Sequence, residues 1–226
     1  TPNGYTGKLI PVEYIKGLTS AELTEILIPG EDEEDTEVFR QRYLNSFNSQ
    51  AFGGNVADYK LKVNAITGVG GVKVYPVWNG GGTVKLVIIN SDFNVPSFEL
   101  IDQVQTAIDP VQNQGEGLGI APIGHIVTVE GVSETAVDIV TEITYTDGWS
   151  WEDIESTVNS VIDGYFNELN SKWADSTNII VRISQLESRL LDVEGITDIA
   201  NTAFNGQQQN FTAGENSIVK RGTINA

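Results

Sequence analysis

The chain has 226 residues, 40% of them apolar, which is enough for one large hydrophobic core or two small ones. It carries 13 Lys and Arg against 31 Asp and Glu, a formal net charge of −18, and it contains no Cys and no Met. The lack of Cys excludes disulfides, thiolate catalysis and Cys-ligated zinc, and no run of 18 apolar residues is present to span a membrane. No signal peptide is recognisable, and because even an initiator Met is missing we expect a fragment of a longer chain.

The negative charge is unevenly distributed. Residues 22–37 hold eight acids and residues 86–171 hold 15, and neither stretch contains a Lys or Arg. Binding a nucleic-acid duplex requires basic side chains that displace condensed counterions, so nucleic-acid contact is not expected. Two interpretations remain: a solvated acidic surface that keeps the protein soluble by self-repulsion, and a surface that binds a basic partner protein.

The first 30 residues contain two short apolar runs, 9–12 and 26–29, each with a proline at or near its end. Proline is tolerated at strand edges and strand ends. We therefore expect residues 1–30 to form edge strands, or an arm that returns to a region outside this chain.

Two helices are predicted next. The acidic run 31–35 precedes the first helix, since carboxylates interact favourably with the positive end of a helix dipole. Gly53-Gly54 ends this helix, Asn55 is a good N-cap for the second, and Gly68 closes the second as a C-terminal glycine does. The apolar residues that recur at helical spacing are Val38, Phe39, Tyr43 and Phe47 in the first helix, and Val56, Tyr59, Val63 and Ile66 in the second.

A β-hairpin is predicted after the second helix. From Val69 to Trp78 the apolar period changes toward two, Asn79-Gly80 indicates a turn, and residues 84–89 form a continuous apolar run. The second strand of the hairpin is therefore expected to be buried on both faces.

The middle of the chain predicts a helix and two strands. Ser97 is a plausible N-cap, and Phe98 and Ile108 bound an apolar helical stripe that ends before Pro110. Residues 125–129 and 132–145 have strand character, and we expect them to pair antiparallel across Glu130-Gly131.

The last third begins with the most regular helical pattern of the chain, an apolar stripe from Trp151 to Trp173 that is typical of a core or an interface. A short strand at 177–181 and a helix at 183–190 follow. Gly195 then ends a helix before an extended run, as Gly68 does, which is compatible with an internal duplication of a helix-to-hairpin unit. A strand at 217–224 is expected to finish the chain.

No catalytic, cofactor-binding or metal-binding residue is predicted. His125 is the only histidine, and its place at the start of a predicted strand favours a structural role over a catalytic one. Paired carboxylates could serve a glycosidase, yet none has the aromatic, apolar surroundings that raise one pKa. Residues 31–35 lack the ligand order of a calcium loop, and the glycines at 80–82 and 115–119 lack the context of a nucleotide site.

The charges of greatest interest lie on the first helix. A local ion pair with the neighbouring acids is one explanation for Arg40 and Arg42, and a charge-complementary contact with the next subunit is the other. We predict an interface in this region, formed by Arg40, Arg42, Glu31, Asp32, Glu33 and Glu34.

The order and spacing of these motifs resemble the baseplate J-like family of contractile-tailed phages and related injection devices. The resemblance is carried by Gly30 with the acidic run 31–35, Phe39-Arg40-x-Arg42, Gly53-Gly54, Tyr59, and Gly68-Val69 leading into Val72-Lys73-Val74. Weaker agreement continues to about residue 200, and the N-terminal region that usually precedes these motifs is not in this chain. The resemblance implies a structural protein that joins neighbouring wedges around the tail tube, rearranges when the sheath contracts, and brings no enzymatic residues.

We therefore expect an α+β fold, with helices packed on small antiparallel or mixed sheets. The predicted regions are an arm at 1–30 and subdomains at 31–130 and 131–226. The expected partners are other baseplate and tail proteins and copies of the chain itself, in a virion tail baseplate assembled in the bacterial host cytoplasm, with no cofactor, nucleic acid or small-molecule substrate. The alternatives are a surface adhesion or binding module and, third, a cell-wall hydrolase that uses a carboxylate pair.

Overall fold

The structure is a computed structural model that describes residues 5–30, 32–48 and 53–226, with the backbone alone at residues 45–48. The chain divides into two compact units: Thr1–Asp92 with Pro96–Gly131, and Phe93–Val95 with Val132–Ala226. Each unit has its own three-stranded mixed sheet and its own helices, which confirms the α+β class. The predicted division into an arm at 1–30 and subdomains at 31–130 and 131–226 stays a prediction.

The described residues between 5 and 48, here called the N-terminal segment, include a small hairpin and a helix. Strand β1 (Gly7–Leu9) pairs antiparallel with β2 (Ala21–Leu23), and helix α1 (Thr36–Asn48) follows. Of the two alternatives for residues 1–30, strands in both apolar runs are largely wrong, because β1 reaches only the first residue of the first run and residues 26–29 form no strand. The arm stays a prediction. Side-chain packing holds the second run instead: Ile28 packs on the core of the first unit, and the Leu27 carbonyl accepts a hydrogen bond from Ser97 Oγ at 2.7 Å.

The rest of the first unit is a three-stranded sheet with two helices. Its elements are α2 (Val56–Asn64), β3 (Val69–Pro76), β4 (Thr83–Asn90), α3 (Phe98–Ile108) and β5 (Ile126–Gly131). Strands β3 and β4 form the predicted hairpin, with Val74 opposite Leu86, and β5 lies parallel to β4 with Val129 beside Leu86. Helix α3 makes the crossover that a parallel pair requires.

Both predicted N-caps of the first unit are confirmed. Asn55 Oδ1 accepts a hydrogen bond from the Asp58 amide at 2.8 Å, and Ser97 Oγ accepts one from the Leu100 amide at 3.2 Å. The two helices thus satisfy part of their exposed N–H groups locally. They cover one face of the sheet, and the buried cluster that results contains Tyr59, Val63, Leu100, Val104, Ile108, Val72, Leu86, Ile88, Val127 and Val129.

The outer edge of β5 is closed by side chains rather than by another strand. Gln105 Nε2 donates to the Val127 carbonyl at 3.0 Å, and Gln105 Oε1 accepts from the Val129 amide at 2.9 Å. Asp109 Oδ2 accepts from the Val127 amide at 2.9 Å, and Gln114 Nε2 donates to the Val127 carbonyl at 2.9 Å. These bonds satisfy backbone groups that an edge strand otherwise leaves open.

The second unit is built around its longest strand. Its elements are β6 (Ser133–Tyr145), α4 (Trp151–Ser171), β7 (Ile180–Val181), α5 (Ile183–Leu191), β8 (Ile196–Phe204), β9 (Phe211–Thr212) and β10 (Ser217–Asn225). Strand β6 is central, with β10 parallel to it on one side and β8 antiparallel on the other. Strands β7 and β9 form a separate two-stranded sheet.

The predicted stripe of α4 is a core face. Ser150 precedes the helix, and its amide donates to Asp153 Oδ2 at 2.9 Å, as in a capping box. The side chains of Ile154, Val158, Ile162, Tyr165 and Phe166 are buried.

Helix α4 also closes the outer edge of β10. Asn170 Nδ2 donates to the Val219 carbonyl and Asn170 Oδ1 accepts from the Val219 amide, both at 3.0 Å. Asn170 is buried, as Gln105 is in the first unit. In each unit, therefore, a buried side-chain amide on a helix satisfies the backbone of the edge strand that lies parallel to the central strand.

The predicted antiparallel pairing of 125–130 with 132–145 is wrong. Strand β5 pairs with β4, and β6 pairs with β8 and β10. Gly131 is the last residue of β5 and is not among the glycines with positive φ. A Cβ there would lie 2.9 Å from Pro96 Cγ, so this glycine allows close packing rather than a turn.

The two helix-to-strand junctions have the same backbone geometry. Gly68 has a φ of 92° and Gly195 a φ of 96°, and the next residue donates in each case to the carbonyl three positions earlier, at 3.1 and 3.2 Å. The strands that follow differ, because β3 pairs with the next strand in the chain and β8 pairs with β6, which precedes it. The fold therefore contains no duplicated helix-to-hairpin unit at these two junctions.

Candidate functional site

The acidic run lies directly before α1. Asp35 Oδ1 accepts hydrogen bonds from the amides of Glu37 at 2.8 Å and Val38 at 3.3 Å, and the helix begins at Thr36. Asp35 thus binds free N–H groups at the helix N-terminus, as predicted for the acidic run from the helix dipole.

Arg42 is bound to the acidic run on its own chain. Its Nε donates to Glu34 Oε1 at 2.9 Å and its Nη2 to Glu34 Oε2 at 2.8 Å. This bidentate bond lowers the pKa of Glu34 and raises the pKa of Arg42. The Arg42 guanidinium also lies 5.2 Å from the centre of the Phe39 ring, so one side chain connects the acids to the aromatic surface of α1.

The remaining predicted interface residues surround this pair. Arg40 Nη1 lies 3.2 Å from Glu37 Oε1, while Asp32 and Glu33 are exposed. Glu31 lies outside the described residues. A local ion pair therefore exists for both arginines, and the contact with a second subunit stays a prediction.

The predicted apolar stripe of α1 is exposed to solvent. No side chain between Thr36 and Leu44 is buried, and Val38, Phe39 and Leu44 are each about half exposed or more, at 58%, 50% and 48%. The Phe39 and Tyr43 rings stack with their centres 6.5 Å apart. The side chain of Phe47 is outside the described residues.

His125 contacts Tyr59. Its Nδ1 lies 2.8 Å from the Tyr59 hydroxyl, and the two rings stack with centres 6.0 Å apart. Burial, followed by the negative charges of Asp109 and Asp58, raises the pKa of Tyr59 to about 12. The pair joins α2 to the start of β5.

The surface carboxyls with clearly shifted pKa values do not suit a proton donor. Hydrogen bonds from the Thr223 amide and hydroxyl lower the pKa of Asp138, and those from Lys172 and then Arg189 lower the pKa of Glu168. A general acid near neutral pH needs a raised pKa instead. The described residues hold no group of three or more His, Cys, Asp or Glu side chains that could bind a metal ion.

The glycine motifs are also accounted for by structure. Residues 80–82 lie in the loop of the β3–β4 hairpin, and a Cβ on Gly119 would lie 2.4 Å from the Ile108 carbonyl oxygen. Among the helices in the described part of the chain, none is long and apolar enough to cross a bilayer.

Sequence reasoning missed the side chains that close the two sheet edges. Gln105, Asp109 and Asn170 are buried polar residues on, or next to, helices whose other buried positions are apolar. The polar interruption of an apolar helical stripe was the available signal, because a buried amide must find hydrogen-bond partners.

Comparisons with known proteins cover most of the chain. Residues 51–131 match the family model of the baseplate J-like central domain, and residues 137–226 match that of the baseplate J-like protein C-terminal domain. Two proteins of Bacillus subtilis strain 168 are similar over nearly the whole chain. The uncharacterized protein YqbT is 36% identical over 217 residues, and the phage-like element PBSX protein XkdT is 34% identical over 220.

The chain spans about 60% of the length of these two relatives. The alignments cover 96% and 97% of this chain, and 60% and 61% of YqbT and XkdT. A chain in the cryo-EM structure of the anti-feeding prophage baseplate, 6-fold symmetrised, matches with a TM-score of 0.55 at 10% identity, over 94% of this chain and 46% of that one. At this identity the likeness concerns the fold. The two domain models matched in succession show that the chain belongs to the baseplate J-like family.

Proposed function

We propose that this chain is a structural component of a contractile tail baseplate, of a phage or a prophage, and that it acts through protein–protein contacts within and between wedges. The observation that carries the proposal is the succession of the central and C-terminal domain models of the baseplate J-like family along one chain. The fold that this chain shares with a chain of a prophage baseplate supports it. Wedge joining, and rearrangement during sheath contraction, would belong to the whole protein.

The contact surfaces in this proposal include the start of α1. Arg40 and Arg42, with the acids at 31–34, lie beside exposed apolar side chains, and interfaces commonly combine an apolar centre with a charged rim. Other baseplate proteins and further copies of the chain are the proposed partners. Virion tails assembled in the host cytoplasm are the proposed location.

Deletion of the gene in its host tests the role. After induction of tail production, electron microscopy of deletion cells should show tubes and sheaths without complete baseplates, and a plasmid copy of the full-length gene should restore them. Complete, contractile tails in the deletion strain would refute a structural baseplate role. A deletion of a tail-fibre gene, which leaves the baseplate in place, is the matched control.

A further inference from the structure

Exposed apolar side chains are concentrated in the N-terminal segment. Among the described residues, 26 large apolar side chains are exposed, and twelve of them fall between Tyr5 and Leu44. Single exposed apolar residues are ordinary on a protein surface, but twelve fall in this one fifth of the chain and fourteen in the rest of the described residues.

The side chains of helix α1 that the structure describes, those of residues 36–44, form no buried face. It has 13 residues, and helices of this length are marginal in water unless an apolar face packs on something. Val38 and Phe39 are exposed on it together with Leu44, although they follow the spacing of a core-facing stripe. A partner molecule would bury this stripe.

The negative charge around α1 favours a basic partner. Eight acids lie between Glu22 and Glu37 with no Lys or Arg among them. The two arginines of the helix, Arg40 and Arg42, pair with Glu37 and Glu34 of their own chain, so residues 22–44, with eight acids and two bases, keep a net charge of −6. A second copy of this chain carries a net charge of −18 and would bring further negative charge to the contact.

We propose that the exposed face of α1 docks on an apolar helix face flanked by Lys and Arg on a different protein. This inference rests on the proposed function for its setting, since it names the chemistry of one partner within the baseplate. Packing of one amphipathic helix on another is an established mode of recognition, in which apolar residues of the helix face act as anchors. The acids before the helix meet the flanking Lys and Arg.

Arg42 prepares this surface for binding. It holds Glu34 by two hydrogen bonds while its guanidinium lies against the Phe39 ring. An acid and an apolar anchor are thereby held next to each other before the partner arrives. Fixing them in advance lowers the entropy cost of binding.

The test uses the purified protein and two synthetic helical peptides with the same leucine face. One peptide carries Lys at the positions that flank this face, and the other carries Glu. Fluorescence anisotropy at low and high salt should show binding of the Lys peptide, weakened by salt, and at least tenfold weaker binding of the Glu peptide. The variant with Val38→Ala and Phe39→Ala should bind the Lys peptide at least tenfold more weakly, and the control Phe98→Ala should bind as the wild type does, because Phe98 is 77% exposed outside α1.

Three outcomes would overturn the proposal. Equal binding of the Lys peptide by wild type and the α1 variant would place the binding elsewhere on the acidic surface. Equal binding of the Glu peptide would remove the charge argument. A dimer in light scattering that the α1 variant dissociates would identify a second copy as the occupant. Because the gene deletion tests the baseplate role separately, restored tails together with failed peptide binding would reject this inference alone.

Discussion

Replacing Gln105 by Leu tests whether a side-chain amide holds the edge of the first sheet. Gln105 is 8% exposed, and its amide makes three hydrogen bonds: to the Asp109 carbonyl at 2.6 Å, to the Val127 carbonyl at 3.0 Å and from the Val129 amide at 2.9 Å. The leucine keeps the volume nearly constant and removes all three bonds. The change therefore separates hydrogen bonding from packing.

The expected cost follows from the groups left without a partner. The Val127 carbonyl still accepts a hydrogen bond from Gln114 Nε2 at 2.9 Å in the variant. The Val129 amide and the Asp109 carbonyl lose their hydrogen bonds to Gln105. A buried polar group without a partner costs about 1–3 kcal/mol, and the apolar gain of leucine offsets part of this. We expect Gln105→Leu to destabilise the first unit by about 3 kcal/mol.

Hydrogen exchange measured by mass spectrometry reports on each unit separately. The peptide that covers β5 should lose about 100-fold in protection, because each 1.4 kcal/mol corresponds to a factor of ten. Gln103→Leu is the matched control, since Gln103 lies on the same helix and is exposed. If the two variants lose protection to the same degree, the hydrogen bonds of Gln105 do not stabilise the edge and the reasoning is refuted.

Three further changes probe other features. Asn170→Ala should destabilise the second unit by about 2–3 kcal/mol, because both backbone groups of Val219 lose their partner, and exchange in the β10 peptide measures this. The unfolded chain deprotonates Tyr59 near pH 10 while the folded state retains the proton to about pH 12, so stability should fall with rising pH across this range, by up to about 2 kcal/mol. Urea unfolding at several pH values should show that Tyr59→Phe removes this decline. Gly195→Ala should cost at least about 2 kcal/mol in urea, since its Cβ would lie 2.4 Å from Trp149 Cε3, whereas Gly148→Ala meets no atom within 4 Å and bears only the strain of a positive φ.

Local patterns predicted the elements whose causes are local. Ser97 accepts a hydrogen bond from an amide three residues later, and the β3–β4 hairpin joins neighbouring segments, so a short window contains the whole cause. The stripe of α4 is likewise a property of one helix. Such elements could be predicted from periodicity and capping residues.

Pairing between distant segments could not be predicted in this way. The sequence Glu130-Gly131 suggests a turn, yet Gly131 lies at the end of a strand and packs closely against Pro96, 35 residues earlier in the chain. The partner of β6 on its parallel side, β10, begins 84 residues after β6 begins, with Ser217 beside Ser133. Nothing near either strand specifies that register.

The sequence predicts part of the candidate site at α1. The spacing of Val38 and Phe39 predicts an apolar helix face, and the acids predict a helix start, both from local chemistry. Whether that face is buried depends on distant parts of the chain or on other molecules. The sequence alone therefore could not show that α1 presents its stripe to solvent.

The closed edges of β5 and β10 have a consequence for any two copies of the chain that come close together. Open strand edges at high local concentration invite run-on pairing, in which each copy offers the next a template and growth has no natural end. Gln105 and Asn170 remove that template at one edge of each sheet. Two copies placed side by side at these edges would have to contact each other through side chains. Side-chain contacts are specific to their residues, so such pairing would not continue without end.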